Sequence, residues 1–392
     1  MSSHPRLSAF NTTIFAEMSA LAAATGAINL GQGFPDTDGP QEIREAAVRA
    51  IREGQGNQYP PGPGVPELRQ AVVHHQFHWY GMSFDPDTEV LITAGATEGI
   101  AAALLALVDP GDEVIVLEPY YDSYAACVAL AGGARVPVTL HADADGFVLD
   151  LDELRAAVTP RTKVILLNSP HNPTGTVLTR TELTGIAELA CEHDLLVISD
   201  EVYEHLVFDG GQHLPIAALP GMRARTLTVG SAGKTFSFTG WKVGWVTGVP
   251  ALVTAVRSVK QFLTYVNSGP FQYAVAQALQ LPDTYFKDLR EELAGKRDLL
   301  INGLREAGFA VLRPRGTYFV TADIRPLAEA GVPQCENGLT FCRSLPERTG
   351  VVAIPNSVFY DSPDGAPFVR FAFCKRHDTL DEAVRRLQKL VR

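Results

Sequence analysis

Short apolar runs alternate with helical patterns through the middle of this chain, and that alternation constrains its fold more than any other feature. The runs have the length and apolarity of strands that are buried on both faces. They occupy residues 89–93, 113–118, 134–140, 163–168, 195–200, 225–229 and 244–249. Amphipathic patterns typical of helices lie between several of them, at residues 98–108, 122–131 and 181–193. This alternation predicts an α/β fold, with a mainly parallel sheet of seven strands flanked by helices.

The pattern changes near residue 284 of the 392 residues. Residues 284–308 have the pattern of one long helix, and shorter strand-like pieces follow before a last amphipathic helix at 380–391. We therefore predict a large domain at 37–284 and a smaller α+β domain at 285–392. The N-terminal segment, residues 1–36, is expected to pack with the small domain.

Charge and cysteine usage narrow the functional classes. The 33 Lys and Arg residues against 44 Asp and Glu give a net charge of −11, which argues against binding to nucleic acid. The five cysteines are scattered and form no C-x-x-C pair, as is typical of free thiols in a reducing compartment. No secretory signal is visible, and no apolar run approaches the ~20 residues that a membrane-spanning helix needs. We expect a cytoplasmic protein that binds neither nucleic acid nor membrane.

His74, His75 and His78 include two imidazoles four residues apart, a spacing that can bind a metal ion on a helix. No carboxylate or cysteine beside them completes a ligand set. We therefore expect a solvated helix face at these histidines and no metal site.

Polar and aromatic residues gather where the predicted strands end. Ligands of open α/β sheets bind outside the carboxyl ends of the strands. The turn at 94–97, which includes Ala96 and Thr97, opens a helix whose free N–H groups can hold a phosphate. The other candidates that follow strands are Tyr121, Asn172, Asp200, Tyr203, Ser231, Lys234 and Lys242.

These residues match the chemical needs of a pyridoxal phosphate site. The aldehyde of pyridoxal 5'-phosphate needs an amine, which Lys234 supplies. The pyridine nitrogen needs an anion that keeps it protonated, which Asp200 supplies. The phosphate, the ring face and the phenolic oxygen also need partners. Those partners are the turn at 95–97 with Ser231 and Lys242 for the phosphate, Tyr121 for the ring face, and Asn172 with Tyr203 for the phenolic oxygen.

Over essentially its whole length, the sequence resembles the class I/II aminotransferases of the fold-type I pyridoxal phosphate enzymes. The matching segments are residues 29–36, 57–59, 169–175, 200–203, 231–236 and 239–245. Within that family the chain is similar to the kynurenine/glutamine aminotransferase branch. It is more similar still to the N-succinyldiaminopimelate aminotransferases.

The resemblance implies a role for each cofactor-binding residue. Lys234 carries the cofactor as a Schiff base and then moves the proton from the substrate Cα. Asp200 pairs with the pyridine nitrogen, and Tyr121 stacks on the ring. The phenolic oxygen is bound by Tyr203 and Asn172. The phosphate is held by Ala96, Thr97, Ser231 and Lys242, with Tyr59 reaching in from the neighbouring subunit of a homodimer.

The resemblance also implies the substrate contacts. Arg370 matches the arginine that binds the substrate α-carboxylate, since a planar guanidinium can bind a carboxylate through two hydrogen bonds. Asn172 lies beside the same substrate. Gly33 matches the N-terminal loop that closes over the substrate, and Phe15 is expected to line the entrance.

The implied reaction moves an amino group from an amino acid to a 2-oxo acid, which in this family is most often 2-oxoglutarate. Asn267 and Ser268 stand where kynurenine-type enzymes carry aromatic side chains that line the partner's pocket. Polar residues there favour a long polar donor such as N-succinyl-diaminopimelate. The alternative is a kynurenine/glutamine-type aminotransferase with cysteine-conjugate β-lyase side activity.

Three other functions explain less of the sequence. A nicotinamide-dependent oxidoreductase needs a G-x-G-x-x-G turn, which residues 95–99 do not form, and it leaves Lys234 and Asp200 unexplained. A non-catalytic binding protein on this fold has no use for the complete catalytic set. A β-lyase or decarboxylase uses the same cofactor, but Arg370 favours transamination because it holds the substrate carboxylate.

Overall fold

The computed structural model of the chain describes residues 13–143 and 146–391. The strands are β1 Ile28–Asn29, β2 Val90–Thr93, β3 Glu113–Glu118, β4 Ala134–Asp143, β5 Gly146–Leu149, β6 Thr162–Asn168, β7 Leu196–Asp200, β8 Thr226–Ser231, β9 Gly244–Thr247, β10 Ala310–Leu312, β11 Phe319–Asp323, β12 Val351–Val352, β13 Ile354–Pro355 and β14 Phe368–Ala372. The α-helices are α1 Ile14–Thr25, α2 Gln41–Arg52, α3 Pro66–Tyr80, α4 Gly95–Leu107, α5 Asp122–Ala131, α6 Leu151–Ala156, α7 Arg180–Glu192, α8 Ala232–Thr235, α9 Pro250–Lys260, α10 Gly269–Ala278, α11 Asp283–Glu306, α12 Arg325–Glu329, α13 Gly338–Thr349 and α14 His377–Leu387.

The larger sheet has the strand order β2-β9-β8-β7-β6-β3-β4-β5. Its central strands run parallel, and the pairs at its two ends run antiparallel. The predicted α/β fold with a mainly parallel sheet is therefore confirmed, and all seven predicted strands are present. An eighth strand, β5, extends the sheet as the short edge partner of β4. Only two of its four residues, Phe147 and Leu149, are buried, so β5 has no continuous apolar run of the kind that marked the other strands.

Alternate residues of the central strands face two different helical layers, because successive side chains of a strand point to opposite faces. Val114 and Val116 pack in the core formed with α4, α5 and α9. Ile115 and Leu117, on the other face, pack in the core formed with α6 and α7. The central strands are thus buried on both sides, which explains their continuous apolar sequence.

The C-terminal part of the chain forms an antiparallel sheet of order β10-β11-β14-β13. The described part of the N-terminal segment, residues 13–36, joins this part through two contacts; residues 1–12, which the same prediction included, lie outside the described residues. Strand β1 pairs with β12, and Met18 of α1 is buried in the same core as Phe371 of β14. As a result, the loop after β1 lies beside β14, the strand that carries Arg370.

The histidine cluster differs from the prediction. His74 and His78 are exposed as expected, but His75 is buried. Its Nε2 lies 2.7 Å from Nε2 of His205, and burial lowers the pKa of His75 to about 3. The sequence could not reveal this contact because 130 residues separate the two histidines.

Within the described residues, no helix is both long enough and apolar enough to cross a membrane.

Candidate active site

A cavity of about 420 Å³ opens at the carboxyl ends of the central strands. It is lined by every predicted site residue except Tyr59. Those lining residues are Phe15, Gly33, Ala96, Thr97, Tyr121, Asn172, Asp200, Tyr203, Ser231, Lys234, Lys242 and Arg370. The fold therefore brings together side chains that are more than 300 positions apart in the sequence.

Lys234 reaches the cavity from the short helix α8, directly after β8. The Ser231 hydroxyl caps this helix by accepting the Gly233 N–H at 3.1 Å. The Lys234 amine lies 5.6 Å from the centre of the Tyr203 ring. Burial lowers the pKa of Lys234 below its ordinary value, although the nearby Asp200 carboxylate opposes that shift. A lysine with a lowered pKa keeps more of its amine uncharged and nucleophilic at neutral pH.

Asp200 ends β7 and is fully inside the protein. One carboxylate oxygen accepts the Tyr124 hydroxyl at 2.6 Å, and the other accepts the Val202 N–H at 3.3 Å. Burial raises the pKa of Asp200 to about 6, and the Tyr124 hydrogen bond acts in the opposite direction. Tyr124 is not among the residues predicted from the sequence. Its position three residues after Tyr121, across the first turn of α5, is the signal that could have found it.

Arg370 lies on β14, and its side chain extends to the loop after β6 of the large sheet, where it contacts Asn172. Its guanidinium donates to Oδ1 of Asn172 at 2.8 Å and to the carbonyl of Gly31 at 2.9 Å. The ring centre of Phe319 lies 4.1 Å from its central carbon. Among the described residues, no carboxylate pairs with Arg370, and its buried Nε has no hydrogen-bond partner. Burial lowers the pKa of Arg370 to about 10.

Asn168 fixes the loop that carries Asn172. The Asn168 side chain accepts the Asn172 N–H at 2.7 Å and donates to the carbonyl of Asp200 at 2.9 Å. One buried amide therefore ties the ends of the neighbouring strands β6 and β7 together. In the sequence, Asn168 is only the last residue of the predicted strand at 163–168. Its role could not be predicted, because its contact with Asp200 depends on strand pairing.

The first turn of α4 and Lys242 form two sides of a cradle. Gly95 has a φ of +73° and opens the helix, so the N–H groups of its first turn have no partner within the helix. A Cβ placed on Gly95 would lie 3.3 Å from the Lys242 amine. Free N–H groups facing an ammonium are well suited to a phosphate.

The Gly33 loop meets the cavity through an aromatic contact. The hydroxyl of Tyr318, another residue not predicted, donates to the Gly33 carbonyl at 2.6 Å. A Cβ on Gly33 would lie 2.4 Å from the Phe319 ring, so a side chain there would force the loop away from β11. The Tyr318 ring also packs edge-on against Tyr203 at 5.3 Å between centroids.

Three residues of the surface loops lie outside the cavity. Tyr59 is 82% exposed and packs edge-on against Tyr265. Asn267 donates to the carbonyls of Thr93 and Lys242, and the Ser268 hydroxyl donates to the carbonyl of Trp241. Backbone carbonyls of the same chain accept the hydrogen bonds that Asn267 and Ser268 donate. The place of both residues at the partner's pocket stays a prediction.

Comparison with known proteins decides the family. A family model described as aminotransferase class I and II matches residues 25–387. The chain belongs to the class I and II aminotransferases. The predicted enzyme class, transaminase, is thereby confirmed.

Relatives with solved structures or named activities align with this aminotransferase over almost its whole length. A probable N-succinyldiaminopimelate aminotransferase of Mycobacterium tuberculosis is 54% identical, over 98% of each chain. The solved structure of N-succinyldiaminopimelate aminotransferase from that organism matches with a TM-score of 0.96, over 99% of this chain and 100% of the other. A methionine aminotransferase of Escherichia coli is 39% identical, over 98% and 97%. A kynurenine–oxoglutarate transaminase of Dictyostelium discoideum is also 39% identical, over 98% and 95%.

Replacing Asp200 with Asn should stabilise the aminotransferase when no cofactor is added. The folded-state pKa of Asp200, about 6, lies above the ordinary value of 3.8, so ionising this carboxyl destabilises the folded state as the pH rises through that interval. We expect Asp200→Asn to be more stable than wild type at pH 8, by on the order of 3 kcal/mol. The difference should shrink toward pH 4, where the wild-type carboxyl is neutral when folded. Urea unfolding between pH 4 and 8 measures both effects.

The matched control is Asp288→Asn, since Asp288 is exposed on α11. Its stability should follow the wild type across the whole pH range. A constant difference between Asp200→Asn and wild type from pH 4 to 8 would show that burial of the Asp200 carboxylate does not cost stability.

Proposed function

We propose that this aminotransferase works with pyridoxal 5'-phosphate held between Lys234, Asp200 and the turn at the start of α4. The supporting observation is that one cavity gathers a half-buried amine, a buried carboxylate and a buried guanidinium with an unpaired N–H. A cavity for an apolar ligand has no use for three such groups, because each is costly to bury without a partner. When bound, the cofactor supplies an electron sink for the substrate Cα–H bond.

Lys234 and Asp200 act on two different protons, one on the substrate Cα and one on the pyridine nitrogen. Lys234, whose amine has a lowered pKa, would hold the cofactor at its aldehyde and, once free of it, would take the proton from the substrate Cα. The Asp200 carboxylate holds a proton on the pyridine nitrogen. That pairing offsets the cost of burying Asp200, and the Tyr124 hydroxyl fixes the carboxylate orientation.

The remaining cavity residues orient the cofactor. Tyr203 and Asn172 bind the phenolic oxygen, and the Tyr121 ring lies against the cofactor ring. The phosphate is bound by Ala96, Thr97, Ser231 and Lys242, with Tyr59 contributed by the partner subunit.

Arg370 binds the substrate α-carboxylate. Its contacts with Asn172 and Gly31 fix the plane of the guanidinium, while Nε stays free for an incoming oxygen. Aromatic rings on β11 and beside it exclude water, which strengthens a hydrogen bond between ions. Gly33 and Phe15 lie at the same side of the cavity and close over the bound substrate.

We propose N-succinyl-diaminopimelate as the amino donor and 2-oxoglutarate as the acceptor. The 54% identity to the probable N-succinyldiaminopimelate aminotransferase supports this donor over those named for the 39% identical relatives. Thr13, Ser123 and Thr239 also line the cavity, and polar residues there suit a long polar donor. A kynurenine-type activity with β-lyase side reactions is the second candidate, supported by the kynurenine–oxoglutarate relatives.

A donor panel with 2-oxoglutarate tests this choice. We expect kcat/KM for N-succinyl-diaminopimelate to exceed that for kynurenine, glutamine and methionine by at least about tenfold. Buried polar groups left unpaired by the wrong donor cost about 1–3 kcal/mol, which corresponds to that ratio. Kynurenine or methionine at equal or higher kcat/KM would reject the proposed donor and leave the transaminase chemistry intact.

We also infer that the enzyme works in the cytoplasm. All five cysteines are free, and four of them are buried. Free thiols of this kind are typical of a reducing compartment.

A homodimer with shared sites completes the proposal. Tyr59, Phe262, Leu263 and Tyr265 form an exposed apolar patch, with Tyr59 and Phe262 more than 80% exposed. Contiguous apolar surface of this kind marks an interaction site, and a second copy of the chain is the partner that the Tyr59 role requires.

Mixing two inactive variants tests the shared site. Tyr59→Phe and Lys234→Ala homodimers should each be strongly impaired. A hybrid dimer holds one site with both substitutions and one site with neither, so complete exchange of an equal mixture, in which about half of the dimers are hybrids, should restore activity toward about a quarter of the wild-type level. Exchange between two batches of Lys234→Ala is the control and should restore nothing. A fully active monomer in sedimentation, or mixing without recovery although hybrids form, would contradict sharing.

A further inference from the structure

We infer that Asn267, assisted by Ser268, is a positioning residue that joins the two sides of the phosphate cradle. Its side-chain amide connects the strand that leads into the α4 turn with the backbone that carries Lys242. The inference rests on the proposed pyridoxal phosphate function. It adds to the place at the partner's pocket that the sequence suggested for the same two residues.

One nitrogen makes the connection. Nδ2 of Asn267 donates to the carbonyl of Thr93 and to the carbonyl of Lys242, at 3.1 Å in both cases. Thr93 is the last residue of β2 and immediately precedes the turn at 94–97. A side-chain amide has two N–H bonds, so both are used, one on each side of the cradle.

Lys242 needs this support because of its backbone conformation. Its φ of +53° and ψ of 48° lie in the left-handed region, which residues with a Cβ disfavour. Its carbonyl receives the Asn267 amide, and the preceding carbonyl of Trp241 receives the Ser268 hydroxyl at 2.8 Å. Without these donors the backbone at Lys242 can relax, and the ammonium then moves away from Gly95.

The amide orientation follows from its neighbours. If the Asn267 side chain were rotated by half a turn, Oδ1 would face two carbonyl oxygens. In the orientation observed, Oδ1 is buried and has no hydrogen-bond partner among the described residues. The structure thus leaves one acceptor unpaired and keeps both donors on the cradle, as expected if the donors carry the role.

The loop that carries Asn267 is fixed independently. Gln272 donates to the Asn267 carbonyl at 2.6 Å and accepts the Val65 N–H at 2.8 Å. The Thr264 hydroxyl donates to Glu98, whose carboxylate also accepts the Ala94 N–H at 2.6 Å. Asn267 therefore acts from a rigid base, as a positioning group must.

Binding of two cofactor forms by the dimer tests the inference. Pyridoxal 5'-phosphate and pyridoxal share the ring and the aldehyde, and they differ only in the phosphate. After removal of the resident cofactor, we expect Asn267→Ala to raise the Kd for pyridoxal 5'-phosphate at least about tenfold and to leave the Kd for pyridoxal within about twofold. The near-isosteric Asn267→Asp should lose at least as much, because it replaces the donor with an acceptor that faces two carbonyls.

The matched control is Gln261→Ala, which removes an exposed amide that bonds only to its own helix end at Ser258. It should change neither Kd. Ser268→Ala provides a milder second variant and should give a smaller loss, confined to the phosphorylated form. If Asn267→Ala does not fold, the Kd values of Ser268→Ala decide whether the inference holds.

Two results would overturn the inference. An equal loss of pyridoxal 5'-phosphate and pyridoxal affinity would show that Asn267 only supports the fold, and no loss of either would show that the cradle does not depend on it. A wild-type protein that binds neither compound would overturn the proposed function itself, and the inference with it.

Discussion

Burial of three ionisable side chains around one cavity is the constraint on which the rest of this structure depends. Lys234, Asp200 and Arg370 are each held where water cannot fully solvate them, and their pKa values shift in the direction that burial imposes. A cavity of this kind destabilises the fold and survives only on a rigid scaffold. The parallel sheet, buried on both faces, provides that scaffold for Lys234 and Asp200.

Arg370 reaches the same cavity by a different route. It lies on the C-terminal sheet, and its contacts with Asn172 and Gly31 join three distant parts of the chain. The hydrogen bond from Tyr318 to Gly33 adds a second link between that sheet and the N-terminal loop. The loop at Gly33, which we propose closes over the substrate, is therefore joined to the strands that position the Arg370 guanidinium.

The sequence predicted those features that local pattern determines. Asp200 is the last residue of β7 and Lys234 follows the end of β8 by three residues, so alternation and the turn residues were enough to place them on one edge of the sheet. Local sequence pattern could not predict contacts between residues that are far apart along the chain. Tyr124 on Asp200 depends on helix packing, and the burial of His75 depends on a partner 130 residues away. The orientation of Asn267 depends on backbone carbonyls that no sequence pattern reveals.

The central claim is that Lys234 is the residue that carries the cofactor. Borohydride reduction of the holoenzyme, followed by proteolysis and mass spectrometry of the peptides, tests it directly, because reduction fixes the cofactor to the lysine that holds it. We expect one modified peptide, with the modification on Lys234 and none on the nearby Lys242. Modification of Lys242 or of another lysine instead, or none in a protein that retains its visible absorbance, would show that Lys234 does not carry the cofactor.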